Sequence, residues 1–143
     1  MIKKSNLLVI CFIVIFALFV SGCIDFFVEV DPDTLNLNNR GRGVLTAYVR
    51  GIEASIDDVS EVKIGYAGVF ATSTMHSVEE IDGVETLIVK VNRAEMISLL
   101  KKAGVAEDVF EEFVDLDVHV VFNENTFYGS HSLRVINPAN AGK

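Results

Sequence analysis

The sequence predicts a mainly β domain, an antiparallel β-sandwich with a short helical insertion between its late strands. Three observations carry this. After residue 24, apolar residues recur mostly at every second position, in about seven short runs separated by turn residues, the spacing of a two-sheet sandwich. After Asn92 the period changes to that of a helix. Once the first 22 residues are set aside, the remaining 121 hold 56 apolar residues, an ordinary share for one domain large enough to bury a core.

The chain has 143 residues, 50% of them apolar, and a formal net charge of −8. Both figures blend two unlike pieces. Residues 1–22 carry 16 apolar residues, no acid, and Lys3 and Lys4; the rest carries all 20 acids and a net charge of −10. Phosphate contacts need Lys and Arg, so nucleic acid is not an expected partner of so acidic a domain.

Met1–Lys4 is a basic start, Leu7–Val20 is an unbroken run of 14 apolar residues, and Val20-Ser21-Gly22-Cys23 closes it. This order reads as a secretory signal. The tetrapeptide resembles the lipobox of prokaryotic lipoproteins, archaeal ones included. The resemblance implies cleavage before Cys23, removal of residues 1–22 as a signal peptide, and lipid on Cys23, with residues 23–27 as a tether. The alternative is a retained anchor helix: Leu7–Ile24 makes 18 residues, the lower edge for crossing a hydrocarbon core of about 30 Å. Either way the lysines hold the N-terminus inside and the domain lies on the extracytoplasmic side of the cell membrane. Cys11 and Cys23 are the chain's two cysteines, so the exported domain is expected to hold no internal disulfide.

The domain is expected to span 28–137. Phe26, Val28 and Val30 alternate with Phe27 and Glu29 before a turn at Asp31-Pro32-Asp33. Thr34–Leu37 is a short alternating piece, followed by a polar turn over 38–43. Gly43–Arg50, Glu61–Ala67 and Val84–Val91 read as strands, with Val69–Ser77 weaker and Asp82-Gly83 a turn. Asn92 caps a helix with Glu95 three residues on; Met96, Leu99, Leu100 and Ala103 form one apolar face, and Gly104 stops it. A second helical stretch, Ala106–Val114, puts Val109, Phe110 and Phe113 on one side. Leu116–Asn123 and Phe127–Ile136 form a hairpin, and residues 138–143 a flexible tail. Pairing Val118 with Leu133 places Val120 opposite His131 and Asp117 opposite Arg134. No internal repeat is visible.

Several of these blocks resemble a module that recurs in secreted archaeal and bacterial surface proteins. They are Val28–Leu37, Gly41–Val49, Asp82–Arg93, Leu99-Leu100 and Gly129–Ile136. The resemblance implies an Ig-like sandwich used as a structural or recognition module without catalysis. Members often carry an acidic turn that looks like a calcium loop before the Leu-Ile-Val-Lys strand. Here that turn is Glu79-Glu80-Ile81-Asp82-Gly83, with Ile81 interrupting the acids.

Each group with chemical potential has a plainer reading. Glu79, Glu80, Asp82 and Glu85 lack the alternation that calcium loops use and read as a solvated turn. Glu107, Asp108, Glu111, Glu112 and Asp115 decorate the exposed face of the second helical stretch. No pair among His76, His119 and His131 has zinc spacing. His119 and His131 face opposite sides of the hairpin; His131 sits on the apolar face with a hydrogen-bond partner, and His76 and His119 face solvent. Ser130 and His131, as strand neighbours, point apart. Tyr48, Tyr66 and Tyr128 read as sandwich packing. There is no nucleophile elbow, phosphate loop or Cys/His pair. No catalytic, cofactor-binding or metal-binding residue is therefore assigned, and no cofactor is expected.

The expected function is that of a lipid-anchored extracytoplasmic cell-surface module, structural or binding. Its expected partners are the membrane, through the lipid on Cys23, and cell-envelope proteins or polymers. Two alternatives stand beside it: a small surface hydrolase or metal-dependent enzyme, and a calcium-stabilised adhesion domain.

Overall fold

The computed structural model describes residues 26–39, 42–52, 56–73 and 75–142. The expected signal peptide, the expected tether up to Asp25 and Cys23 itself lie outside these residues. Among the described residues nine strands form: β1 (Phe27–Asp31), β2 (Thr34–Asn36), β3 (Val44–Arg50), β4 (Val59–Tyr66), β5 (Val69–Thr72), β6 (Met75–Ile81), β7 (Val84–Asn92), β8 (Glu111–Phe122) and β9 (Asn125–Ile136). The helix α1 (Arg93–Lys102) separates β7 from β8.

Period-two patterning sorts each strand into an inner and an outer face. Val28 and Val30 of β1, Leu45, Ala47 and Val49 of β3, Leu87, Val89 and Val91 of β7, and Val114, Leu116, Val118 and Val120 of β8 all point into one core. Burying each valine or leucine among them stabilises the fold by roughly 1.5–3 kcal/mol relative to exposure. The strands pair as two sheets, β1-β3-β7-β6 and β2-β9-β8-β4-β5. In immunoglobulin lettering these are A-B-E-D packed on A′-G-F-C-C′, so the fold is an Ig-like β-sandwich with its helix between strands E and F. Where antibody domains place a disulfide between strands B and F, this core has fully buried aliphatic side chains on β3 and β8.

The helix forms as the sequence dictates. Asn92 is its N-cap, and its Oδ1 accepts from the backbone N–H groups of Ala94 and Glu95 at 2.9 and 3.4 Å. Gly104 follows the C-cap with φ +75°. Met96, Leu99 and Leu100 are buried as expected, but Ile97 takes the fourth buried place and Ala103 is exposed.

Five expectations are corrected. First, the sandwich is not wholly antiparallel: β2 runs parallel to β9, Leu35 opposite Val135. The chain crosses from one sheet to the other at Asp31–Asp33, which puts β1 and β2 on opposite layers. Second, Val69–Ser77 is two strands, β5 and β6, in different sheets. Third, Ala106–Val114 is not helical. Residues 106–110 are turn and bend, and β8 already begins at Glu111.

Fourth, the hairpin register differs by four residues. A two-residue turn at Asn123-Glu124 pairs Phe122 with Asn125, so Val118 faces Gly129, Leu116 faces His131 and Val114 faces Leu133. An even shift keeps every side chain on its face, and the inward and outward assignments survive. Arg134 then stands opposite Phe113 and bonds Glu111, not Asp117. Fifth, the tail is pinned. Pro138–Asn140 is a 3-10 turn whose buried Asn140 uses its Nδ2 to donate to the carbonyls of Ala106, Glu107 and Val109 at 3.1, 2.8 and 3.2 Å.

Candidate functional site

The ends of the sandwich are distinguishable by which loops and termini they carry. Phe26 packs on Gly129, and the Nδ1 of His131 donates to the Val28 carbonyl at 3.3 Å, so β1 runs alongside β9 in the same direction. Phe27 pairs with Arg50 at the end of β3, and Arg50 pairs with Thr86 near the start of β7. The start of β1, the end of β3, the start of β4, the Asp82-Gly83 turn and the Asn123-Glu124 turn therefore share one end. Asp58, Glu80, Asp82, Glu85 and Glu124 make that end acidic. Glu80 and Glu85 oppose one another directly across β6 and β7. Among the described residues, no three His, Cys, Asp or Glu side chains gather as a metal site.

The opposite end carries α1, the Ala67-Gly68 turn, the 103–110 turn and the C-terminal 3-10 turn. Here Arg134 donates to Glu111 at 2.7 Å. That hydrogen bond, reinforced by the charge of the guanidinium, holds the Glu111 carboxyl below the usual carboxylate range and the Arg134 guanidinium above its own.

A cleft of about 450 Å³ opens where Phe26 meets β9, lined by Phe26, Asp117, Tyr128, Gly129 and Ser130. Gly129 makes the close approach possible, since a Cβ there would lie 2.5 Å from the Phe26 ring. Beside the cleft, on the outer face of the five-stranded sheet, His119 packs between Phe70 and Tyr128 with ring centroids 4.5 Å apart on each side. Gly65 leaves the space that Phe70 occupies. Spacing along the chain could not have found this cluster, because three strands from two separate hairpins build it.

The structure disperses the sequence's other candidates. His119 and His131 do face opposite sides, the former outward on β8 and the latter inward on β9. His119 is half-buried between rings, and His76, opposite the buried Val89, is half-buried on the inner side of β6, so neither simply faces solvent. Ser130 and His131 point apart. Tyr48, Tyr66 and Tyr128 lie on three different strands in two sheets, with only Tyr66 packed on the core. Among the described residues, no helix is long and apolar enough to cross a membrane.

No protein-family model matches the sequence, and no curated protein matches it. Among solved structures, the major subunit of aggregative adherence fimbriae type I from Escherichia coli aligns with 78% of this chain and 93% of its own. Its identity is 11% and its TM-score 0.33. The N-terminal domain of the Streptococcus gordonii adhesin Sgo0707 aligns with 79% of this chain and 32% of its own, at 15% identity and a TM-score of 0.29. Values this low carry no argument about activity or partner; the Ig-like assignment rests on the strand order.

Proposed function

We propose that this chain is a lipid-anchored extracytoplasmic module that holds an Ig-like sandwich at the cell surface, with a structural or binding role and no catalysis. The observation that carries the reading is one of spacing. Val20-Ser21-Gly22-Cys23 ends a basic-then-apolar leader, and Phe26, three residues after Cys23, is already a core residue. Three residues span about 10 Å when extended, so lipid on Cys23 would hold the sandwich close to the bilayer. The acids at the N-terminal end would then face anionic headgroups and be repelled, which keeps the domain upright and off the surface.

The test is the intact mass of the chain purified from membranes. The expected mass is that of residues 23–143 plus lipid, and Cys23→Ser abolishes both the lipid mass and cleavage before residue 23. An unmodified, uncleaved chain of 143 residues from the wild type refutes the reading in favour of a retained anchor helix.

A further inference from the structure

We infer that the outer face of the five-stranded sheet binds a neutral oligosaccharide at the Gly129 cleft, with Tyr128 as stacking platform and Asp117 and Ser130 as hydrogen-bonding pair. Strand register gathers these side chains on one surface. Asp117 stands opposite Ser130, and His119 opposite Tyr128, across β8 and β9. Directly opposed residues share a sheet face. Asp117, Tyr128 and Ser130 line the cleft together.

Tyr128 is 56% exposed, which leaves ring surface open to solvent. His119, itself packed against Phe70, meets that ring at a steep angle with centroids 4.5 Å apart. The contact orients the ring before any ligand arrives, which lowers the ordering cost of binding. The C–H groups on one face of a sugar pack against an aromatic ring through many individually small contacts. Phe26 is the cleft's other aromatic, and it is 6% exposed. One open ring suits a sugar face, whereas a quaternary ammonium is held by an aromatic cage.

The polar lining sets the ligand class. The side chains of Asp117 and Ser130 form no hydrogen bond or ion pair among the described residues. A carboxylate accepts, and a serine hydroxyl both donates and accepts. A sugar hydroxyl donates to the first while accepting from the second; Lys and Arg carry no acceptor and leave the serine's proton unused. Two residues along each strand, exposed Asp115 faces exposed Ser132, repeating the pair about 7 Å away. The repeat fits a chain of sugars. Both Lys and Arg side chains on this face are engaged: Lys63, opposite His119, by Glu61 at 3.2 Å, and Arg134 by Glu111 at 2.7 Å. Asp115 and Asp117 therefore repel acidic sugars, and the ligand is neutral. The inference deepens the binding role proposed above and rests on it, but not on lipid at Cys23.

The test applies the purified full chain to an array of neutral oligosaccharides of glucose, galactose, mannose and N-acetylglucosamine. Sialylated and sulfated counterparts and immobilised phosphocholine stand beside them. The expected result is a neutral probe bound with a Kd of about 1 mM or tighter, and its acidic counterparts at least about tenfold weaker. Tyr128→Ala and Asp117→Ala should each weaken that binding about tenfold while the melting temperature holds, and Tyr128→Phe, which keeps the ring, should retain it. Asp117→Ala decides the matter if Tyr128→Ala fails to fold. The inference is overturned if no neutral probe binds, if acidic probes or phosphocholine bind better, or if binding is indifferent to Asp117→Ala. Cys23→Ser separates the two readings: sugar binding by that chain upholds the cleft whatever the intact mass says of the lipid.

Discussion

Gly129→Ala places one methyl group in the seam between the two sheets. Gly129 lies on the inner face of β9 opposite Val118, and an added Cβ would stand 2.5 Å from the Phe26 ring and 2.7 Å from a methyl of Val28. Carbon atoms prefer separations of about 3.5–4.0 Å, so Phe26 must withdraw by roughly 1 Å. Phe26 is 6% exposed, so withdrawal gives up part of its burial. Overpacking of this kind costs about 1–3 kcal/mol. Against it stands the gain of about 0.5–1 kcal/mol from replacing glycine by alanine in a strand. The net expectation is a loss of about 1–2 kcal/mol, or roughly 4–8 °C in melting temperature. Urea denaturation followed by circular dichroism reads it directly. With Phe26→Ala in the background the same substitution should cost about 1 kcal/mol less, the mark of direct contact. A Gly129→Ala chain as stable as the wild type, or more so, would refute the account of the seam.

Further outcomes follow from other sites. Asn140→Ala leaves three carbonyls of the 106–109 segment without their side-chain donor; it should cost about 1–3 kcal/mol and raise amide exchange in that segment. Gly65→Ala puts a Cβ against the backbone of Val69 and Phe70; the β4–β5 hairpin must shift, and the ring-current shifts of His119 should collapse in proton NMR spectra. Glu111, whose carboxyl is held low by Arg134, should titrate below an ordinary glutamate by NMR and return to the usual range in Arg134→Gln. The sign follows: this pair adds stability above the ordinary carboxylate range and loses it as pH falls through the lowered value. Its partners are exposed, so the effect on melting is small.

Strand periodicity, the Asn92 cap and the Gly104 stop were legible because each depends on neighbouring residues alone. The facing of His119 and His131 was legible for a similar reason, since it depends on odd and even positions. The register of the last hairpin was not, because it turns on whether two or more residues make the loop at Asn123. Ala106–Val114 misled for a related cause: Val109, Phe110 and Phe113 have helical spacing, but β8 gains more by pairing with β9 back to Ile136.

The candidate surfaces divide in the same way. The lipobox-like tetrapeptide is a linear pattern of neighbouring residues, so the proposal of lipid on Cys23 rests on the sequence by itself. The Phe70–His119–Tyr128 cluster, the cleft at Gly129 and the pinned Val109–Phe110 segment join residues distant in the chain. Strand pairing within the five-stranded sheet gathers the first, the stacking of the two sheets makes the second, and the return of the C-terminus to residues 106–110 makes the third; each contact between distant residues is chosen by the tertiary structure.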